Sequence, residues 1–593
     1  MTRSHPQHRP SNSAQYTPMP HRSYPLAALA PIALVATVAM SGPATAATFT
    51  EVARALPDEC FRDLGDSAPI DFEAFPNTGC DAEAGYQPKI NEAYIWSMAG
   101  IVASGENGGE PGAKIFFGTA SNPLCQTAGA FGLTNGLEPF TDGTVACEFA
   151  LAPDSQSNGG PLPDFIADLR PPGMYAYLLD SGTLVPLSGA QGPLLPPDAQ
   201  AALEITNGVR GAVAWNDLVI LFGPSIRGGI NAFAFDASTL EFIDWALLPE
   251  LGLLRKCVVV PGSEPNIAYC AVGTARDEGA IIRMIGDKSS PFDYAVVGRL
   301  NGRGANIAWS PAHNRVFVTS WANRRTAGVS VARRASVWRG PVHPPQGYRA
   351  SQERWEVLFN LREDYEPDDL ISRLIGMGDV VDCNGDLLFG TMTFPSSAKV
   401  AHFSLNPELY QPGGPYQGQI DTLVARPASV FTLRDPGSEN PVLQMLYGSE
   451  MLPAFDGVDL WETVPNSGGL PSENLSPDGA GFGNPQTHYI WLAFNYQDRC
   501  YIGTFDLTSP TTDEGDLVRE GGGDLWVFDS VEAPATPVTT EGADNPFNYG
   551  FRTAVELDGR MFIGSANPYN LVLPNAPPYF TRGGGWELLE FQP

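Results

Sequence analysis

Histidine is scarce in this chain of 593 residues: there are seven, three of them within the first 46 positions. The other four, His313, His343, His402 and His488, are scattered without ligand-like spacing, so a histidine metal centre is not expected. Cysteine is sparse too. The eight residues include no adjacent pair and no C-x-x-C, which excludes a dithiol redox motif. G-x-S-x-G and H-E-x-x-H are also absent, so a hydrolase elbow and a zincin helix are not expected. Basic residues number 35 against 66 acids. Removing residues 1–46, which hold Arg3, Arg9 and Arg22 and no acid, leaves 32 basic residues and a net charge of −34. Such a chain repels phosphate backbones and anionic lipid, so no nucleic-acid partner is expected. Beyond residue 46 no stretch is long and apolar enough to span a bilayer.

What is abundant is punctuation. Sixty-three glycines and 54 prolines separate short apolar runs, a balance that favours strands and turns over helices. The start of the chain differs. An apolar run from Tyr24 to Met40 follows Arg22 and leads into Ala44-Thr45-Ala46, a small-residue cleavage pattern. Residues 1–46 therefore read as a signal peptide, and the chain is expected to be secreted or periplasmic.

Seven apolar segments end on Gly-Thr or a variant of it. They are Phe116-Phe117-Gly118-Thr119, Leu221-Phe222-Gly223-Pro224, Ala271-Val272-Gly273-Thr274, Phe317-Val318-Thr319-Ser320, Leu388-Phe389-Gly390-Thr391, Tyr501-Ile502-Gly503-Thr504 and Phe562-Ile563-Gly564-Ser565. A hairpin precedes each, and alternating third strands follow several, as in Asn231-Ala232-Phe233-Ala234-Phe235-Asp236. A degenerate all-β repeat of this kind predicts a seven-bladed β-propeller of four-stranded antiparallel blades over residues 86–593. The last repeat stops after its third strand, and a ring leaves no open edge. Thr48 to Leu56 is expected to supply the missing strand, within an N-terminal segment 47–85 that also holds a disulfide loop. Loop insertions are expected near 121–172 and 411–478, the latter with a possible subdomain, and His402 is placed on a third strand.

The cysteines suit an oxidising compartment. Cys257 and Cys270 flank a turn and would face each other across a hairpin; Cys125 with Cys147 and Cys60 with Cys80 would close loops. Cys383 and Cys500 are left as the fourth pair, in or beside the inner strands of neighbouring repeats.

Aligning the repeats by their closing glycines gives candidates for a site. Arg210 and Arg552 fall over one another, Arg255 takes a similar place, and Asn91, Asn306, Asp379 and His488 occupy it in other repeats. Guanidinium groups match carboxylates and phosphates, so an anionic ligand group is the natural inference. The opposing reading is that these arginines pair with acids of neighbouring blades. Tyr94, Trp96, Trp215, Trp309, Trp321 and Trp491 recur on or near inner strands, where packing or sugar stacking would use them. Asp364-Tyr365-Glu366-Pro367-Asp368-Asp369 supplies oxygens for Ca2+ without a recognised loop spacing, and no other cofactor is expected.

The repeat Asn231 to Leu240, a strand, an Asp turn and a strand, resembles the unit of secreted, distantly quinoprotein-like seven-bladed propellers. The Trp-Asp, Gly-His and double-glycine signatures of other propellers are absent, as is the vicinal disulfide of quinoprotein dehydrogenases. Four histidines hold iron in carotenoid-cleaving dioxygenases, but here only His488 opens an inner strand. The resemblance implies a fold and no particular chemistry. The expected function is an exported monomer binding an anionic or carbohydrate small molecule or glycan at the channel mouth. The alternatives are a polysaccharide lyase or glycoside hydrolase acting on acidic glycans, in which an arginine neutralises a uronate carboxylate and His488 or a Tyr moves the proton, and a structural extracellular protein.

Overall fold

Each of the seven closing segments is the second strand of a four-stranded antiparallel meander. A computed structural model describes residues 47–62, 71–76, 78–123, 126, 169–189, 192–261, 266–322, 334–350, 354–471, 479–507, 521–569 and 584–593. Residues 1–46, expected as a signal peptide, Cys125, Cys147 and most of 121–172 lie outside the described residues.

Unit 1 comprises Tyr94–Ala103, Gly112–Ala120, Met174–Leu178 and Thr183–Ser188, and unit 2 comprises Gly211–Trp215, Leu218–Pro224, Ile230–Asp236 and Phe242–Leu248. Unit 3 runs through Leu251–Val260, Ile267–Thr274, Gly279–Met284 and Tyr294–Leu300, and unit 4 through Arg303–Ser310, Arg315–Trp321, Ser336–Arg339 and Glu356–Asn360. Unit 5 is built from Gly376–Cys383, Asp386–Met392, Val430–Arg434 and Val442–Tyr447, and unit 6 from Thr487–Tyr496, Arg499–Asp506, Leu525–Phe528 and Thr536–Thr539. Unit 7 has only Gly550–Leu557, Arg560–Ala566 and Glu587–Gln592 from its own stretch. Its fourth strand is Thr48–Arg54, antiparallel to Glu587–Gln592 with Phe49 opposite Phe591. The N-terminus thus covers an edge that would otherwise expose unpaired backbone groups.

The core is divided into seams. One apolar cluster joins units 1 and 2 through Phe116 and Leu221, and another joins units 2 and 3 through Phe222 and Val272. Val318 packs with Tyr269 between units 3 and 4, and Phe359 with Phe389 between units 4 and 5. Ile490 meets Leu388 between units 5 and 6, and Phe551 meets Tyr501 between units 6 and 7. A seventh cluster packs Phe562 and Trp586 of unit 7 with Ile95 and Phe117 of unit 1. The first strand of each unit lies beside that of the next, and that of unit 7 beside that of unit 1.

These seams explain the Gly-Thr signature. A Cβ on Gly118 would fall 2.1 Å from Val209, one on Gly390 would fall 2.3 Å from Ile490, and one on Gly564 would fall 2.7 Å from Ile95. Glycine is where the neighbouring unit comes closest. The hydroxyl after it anchors the third strand of its own unit. Thr119 Oγ1 accepts from Gly173 N at 2.8 Å, Thr391 Oγ1 from Ser429 N at 2.9 Å, Thr504 Oγ1 from Asp524 N at 2.8 Å, and Ser565 Oγ from Glu587 N at 2.9 Å.

Three disulfides are formed among the described residues: Cys60–Cys80, Cys257–Cys270 and Cys383–Cys500. Cys257 and Cys270 are directly opposed on their hairpin. Cys383 and Cys500 staple units 5 and 6 across 117 residues of sequence. Among the described residues no helix is long and apolar enough to cross a membrane.

Two elements differ from the sequence reading. His402 lies in the helix Pro395–Leu405, not on a third strand. Proline at the first helical position starts that helix and unit 5 resumes its sheet only at Val430. The stretch 411–478 is likewise not a single insertion. It contains the outer strands of unit 5, Val430–Arg434 and Val442–Tyr447, followed by the hairpin Met451–Phe455 and Trp461–Pro465. Its short strands are separated by Pro and Gly runs, which hide the meander's alternation.

The N-terminal segment carries a buried acid pair. Asp58 accepts both the backbone and side-chain nitrogens of Asn91 at 3.0 Å. Burial and the nearby Glu92 push it up to about 7. Burial also opposes ionisation of Glu59, but Lys89 and Arg170, at 2.8 and 2.9 Å, bring it down to about 2.

Two outcomes are expected. Gly390→Ala should destabilise the protein by about 1–3 kcal/mol, the cost of overpacking a filled seam, read by chemical denaturation. For Asp58, the folded protein binds the proton more tightly than the unfolded chain. Its contribution is therefore fully present below the ordinary 3.8 and is lost as pH rises through about 7. Asp58→Asn should shrink the fall in melting temperature between pH 5 and pH 8; an unchanged fall would assign that loss to other groups.

Candidate anion-binding site

The first strands share a local irregularity. In units 1, 3, 4, 5, 6 and 7 their pairing with the second strand slips by at least one residue. Such a bulge leaves a residue unpaired and re-aims its side chain. The residues inside the slips include Trp96, Arg255, Asp379, Trp491 and Arg552. Arg210 sits just before the first strand of unit 2, its backbone N donating to Phe222 O at 2.7 Å.

One cavity of about 840 Å³ is lined by the first strand of every unit, including Ala99, Val213, Arg255, Ala308, Val380, Leu492 and Arg552. Two of its lining residues, Arg255 and Arg552, meet a group of aromatic rings together with Arg210, which lies beside the lining. The Arg210 guanidinium carbon lies 5.0 Å from the Trp96 ring centroid and 5.4 Å from that of Trp321. Arg255 stacks on Trp321 at 4.8 Å and Tyr489 at 5.6 Å, and Arg552 on Trp491 at 5.9 Å. Arg255 Nη2 also donates to Tyr489 Oη at 2.5 Å. The rings pack against one another, with Tyr94 edge-on to Trp491 at 5.7 Å.

Asp379, itself paired with Lys256, offsets part of the charge on Arg552. None of the three arginines forms an ion pair with a described acid, so the reading that they clasp neighbouring units through salt bridges finds no partner there. Arg255 and Arg552 are each only 4% exposed. Arg552 Nε and Nη2, Arg255 Nε and Arg210 Nε are buried donors without an acceptor. Burial, with Arg255 and Arg552 beside it, holds Arg210 well below the usual guanidinium range. Burial and Arg255 push Arg552 down to about 9. Guanidinium side chains are not deprotonated in proteins, so crowding them together costs stability.

No protein-family model matches the chain, and no curated protein matches it. What the site can do must therefore be read from its own residues.

The other candidates lie elsewhere or are already engaged. Asp379 lines the cavity but accepts Lys256 Nζ at 2.8 Å and Ala493 N at 2.9 Å. Asn306 is buried, and its Nδ2 donates to Gly378 O at 2.8 Å, tying unit 4 to unit 5. Asn91 belongs to the Asp58 and Glu59 network. His488 is 3.5 Å from Thr393 Oγ1 and is not among the cavity-lining residues. Burial lowers its pKa, with the Arg426 backbone opposing. Of the aromatics, Trp215 fills the seam between units 2 and 3, and Trp309 packs on His343.

In the run 364–369, Glu366 is taken by Arg426 at 2.7 Å and Asp369 by Arg334 at 2.6 Å. Asp368 accepts Ile371 N and Phe455 N and faces His402 at 3.4 Å. No group of three or more His, Cys, Asp or Glu among the described residues is arranged to hold a metal ion. Sequence reasoning passed over Tyr489 and Lys256. Each adjoins a chosen residue, and only the contact with Arg255 marks Tyr489, as only the ion pair with Asp379 marks Lys256.

An unpaired buried charge costs stability in the empty protein. Arg552→Met is expected to raise stability by on the order of 1–3 kcal/mol in anion-free buffer, read by thermal or chemical unfolding. A loss of comparable size would mean that the guanidinium has a structural role.

Proposed function

We propose that the seven units form a seven-bladed β-propeller whose ring is completed by Thr48–Arg54, and that the protein holds a small anionic molecule at the arginine end of the central channel. The observation that carries the binding reading is the set of three guanidinium groups without an acid partner among the described residues. Support for the ring comes from the seven apolar seams, the last between units 7 and 1. A further support is a cavity that takes lining residues from all seven first strands. Three disulfides and the leader-like N-terminus favour an exported protein.

An anion is favoured over a neutral sugar because the rings of Trp96, Trp321, Trp491 and Tyr489 are already stacked on the arginines. Binding is favoured over a lyase or glycosidase with His488 as base, because that histidine is buried with Thr393 Oγ1 as its described side-chain partner. A purely structural role gives no reason to bury three like charges together.

Anions that bind here should relieve the repulsion among the arginines. At pH 7 and low salt, an anion near 100 times its dissociation constant should stabilise the protein by about 2.7 kcal/mol. The melting temperature should then rise, and added sodium chloride should reduce the rise. A panel of carboxylates and phosphate that leaves it unchanged would remove the reading.

A further inference from the structure

Each of the three guanidinium carbons lies 4.8–5.9 Å from the centroid of an aromatic ring. Arg552 keeps both donors of one fork, Nε and Nη2, without an acceptor, the arrangement that matches a carboxylate or a phosphate. The free donors already named, on Arg210, Arg255 and Arg552, are four nitrogens on three separate side chains. Tyr489 accepts from Arg255, which leaves its own O–H to donate. One carboxylate has two oxygens and one negative charge. It would leave most of that charge, and several of those donors, unanswered.

Farther along the cavity the sign of the charge changes. Lys256 of unit 3 reaches past unit 4 to pair with Asp379 of unit 5 at 2.8 Å, and Asp379 also takes the backbone N of Ala493 in unit 6. Lys256 is thereby neutralised and adds nothing to the arginine end. Asp382 and Glu556 line the same cavity. An extended polyanion threaded along the channel would have to pass the Lys256–Asp379 pair and then lie against these carboxylates.

Resting on the anion-binding reading above, we propose that the arginine end takes a compact small molecule carrying two or more negative charges, as carboxylates or phosphate, and not a threaded acidic polymer. The Lys256–Asp379 pair is the floor of that site, and Arg210, Arg255, Arg552 and Tyr489 supply its donors.

Titration calorimetry on the intact protein at pH 7 and low salt tests this with acetate, glucuronate, succinate, citrate, inorganic phosphate and polygalacturonate. Succinate, citrate or phosphate should bind at least tenfold more tightly than acetate or glucuronate. Citrate ahead of phosphate would assign carboxylates as the ligand groups, and the reverse would assign phosphate; both orders support the proposal. Arg210→Met and Arg552→Met should each weaken the tightest multiply charged ligand tenfold or more and narrow its lead over glucuronate. The melting temperature of each variant reports that it has folded, and two variants guard against the failure of either. Glucuronate equal to or tighter than every multiply charged ligand would overturn the proposal while leaving anion binding intact. Polygalacturonate binding most tightly would overturn it in favour of a polymer groove. Binding of no anion at all would overturn this proposal and the anion-binding reading together.

Discussion

Everything in this protein depends on how closely one four-stranded unit can approach the next. At Gly118, Gly390 and Gly564 there is no room for even a methyl group, because Val209, Ile490 and Ile95 of the following unit occupy that space. The hydroxyl one residue later holds the third strand of its own unit. Two adjacent residues therefore set the spacing between units and the order within a unit. Unit 4 carries Thr319-Ser320 at this place, and there the Ser320 hydroxyl receives Trp338 Nε1 at 3.1 Å.

Tight seams bring the first strands together, and the bulges in those strands decide what lines the space between them. A regular strand alternates its side chains strictly between two faces. A slip of one residue breaks that alternation and frees Trp96, Arg255, Trp491 and Arg552 from the ladder. The consequence is a buried concentration of like charge held in place by ring stacking. Cation–π contact contributes roughly 0.5–2 kcal/mol per pair, more where water is excluded. That offsets part of the repulsion, while burial first and the neighbouring arginines second push Arg210 and Arg552 down. The site is a place where stability is given up locally, as binding sites commonly require.

The electrostatics operate on two length scales. The chain as a whole is strongly acidic, with a formal net charge of −31. At physiological ionic strength such a surface is screened beyond about 8 Å, so it does little to an anion that has already entered the arginine end. In the proposed site the guanidinium groups and the Lys256–Asp379 pair would act on an occupant at short range. The acidity of the chain as a whole thus contrasts with the cluster of cations inside the fold.

Much of the fold was legible in the sequence because it rests on local patterns. The seven closing segments, the alternating third strands and the missing last strand are statements about neighbouring residues, and the Thr48–Arg54 pairing followed from them. The shared place of Arg210, Arg255 and Arg552 was legible for the same reason, since a repeat supplies its own alignment. His402 and the outer strands of unit 5 were misread where Pro and Gly interrupt the alternation. The sequence by itself determined the repeat, the strand count of each unit and which cations begin the first strands. Only the tertiary structure decided that those cations have no acid partner among the described residues, that rings hold them, and that Lys256 is spent on Asp379. The physical reason is that bulges and seams are set by contacts between residues hundreds of positions apart, as between Arg255 and Tyr489, and no local pattern records them.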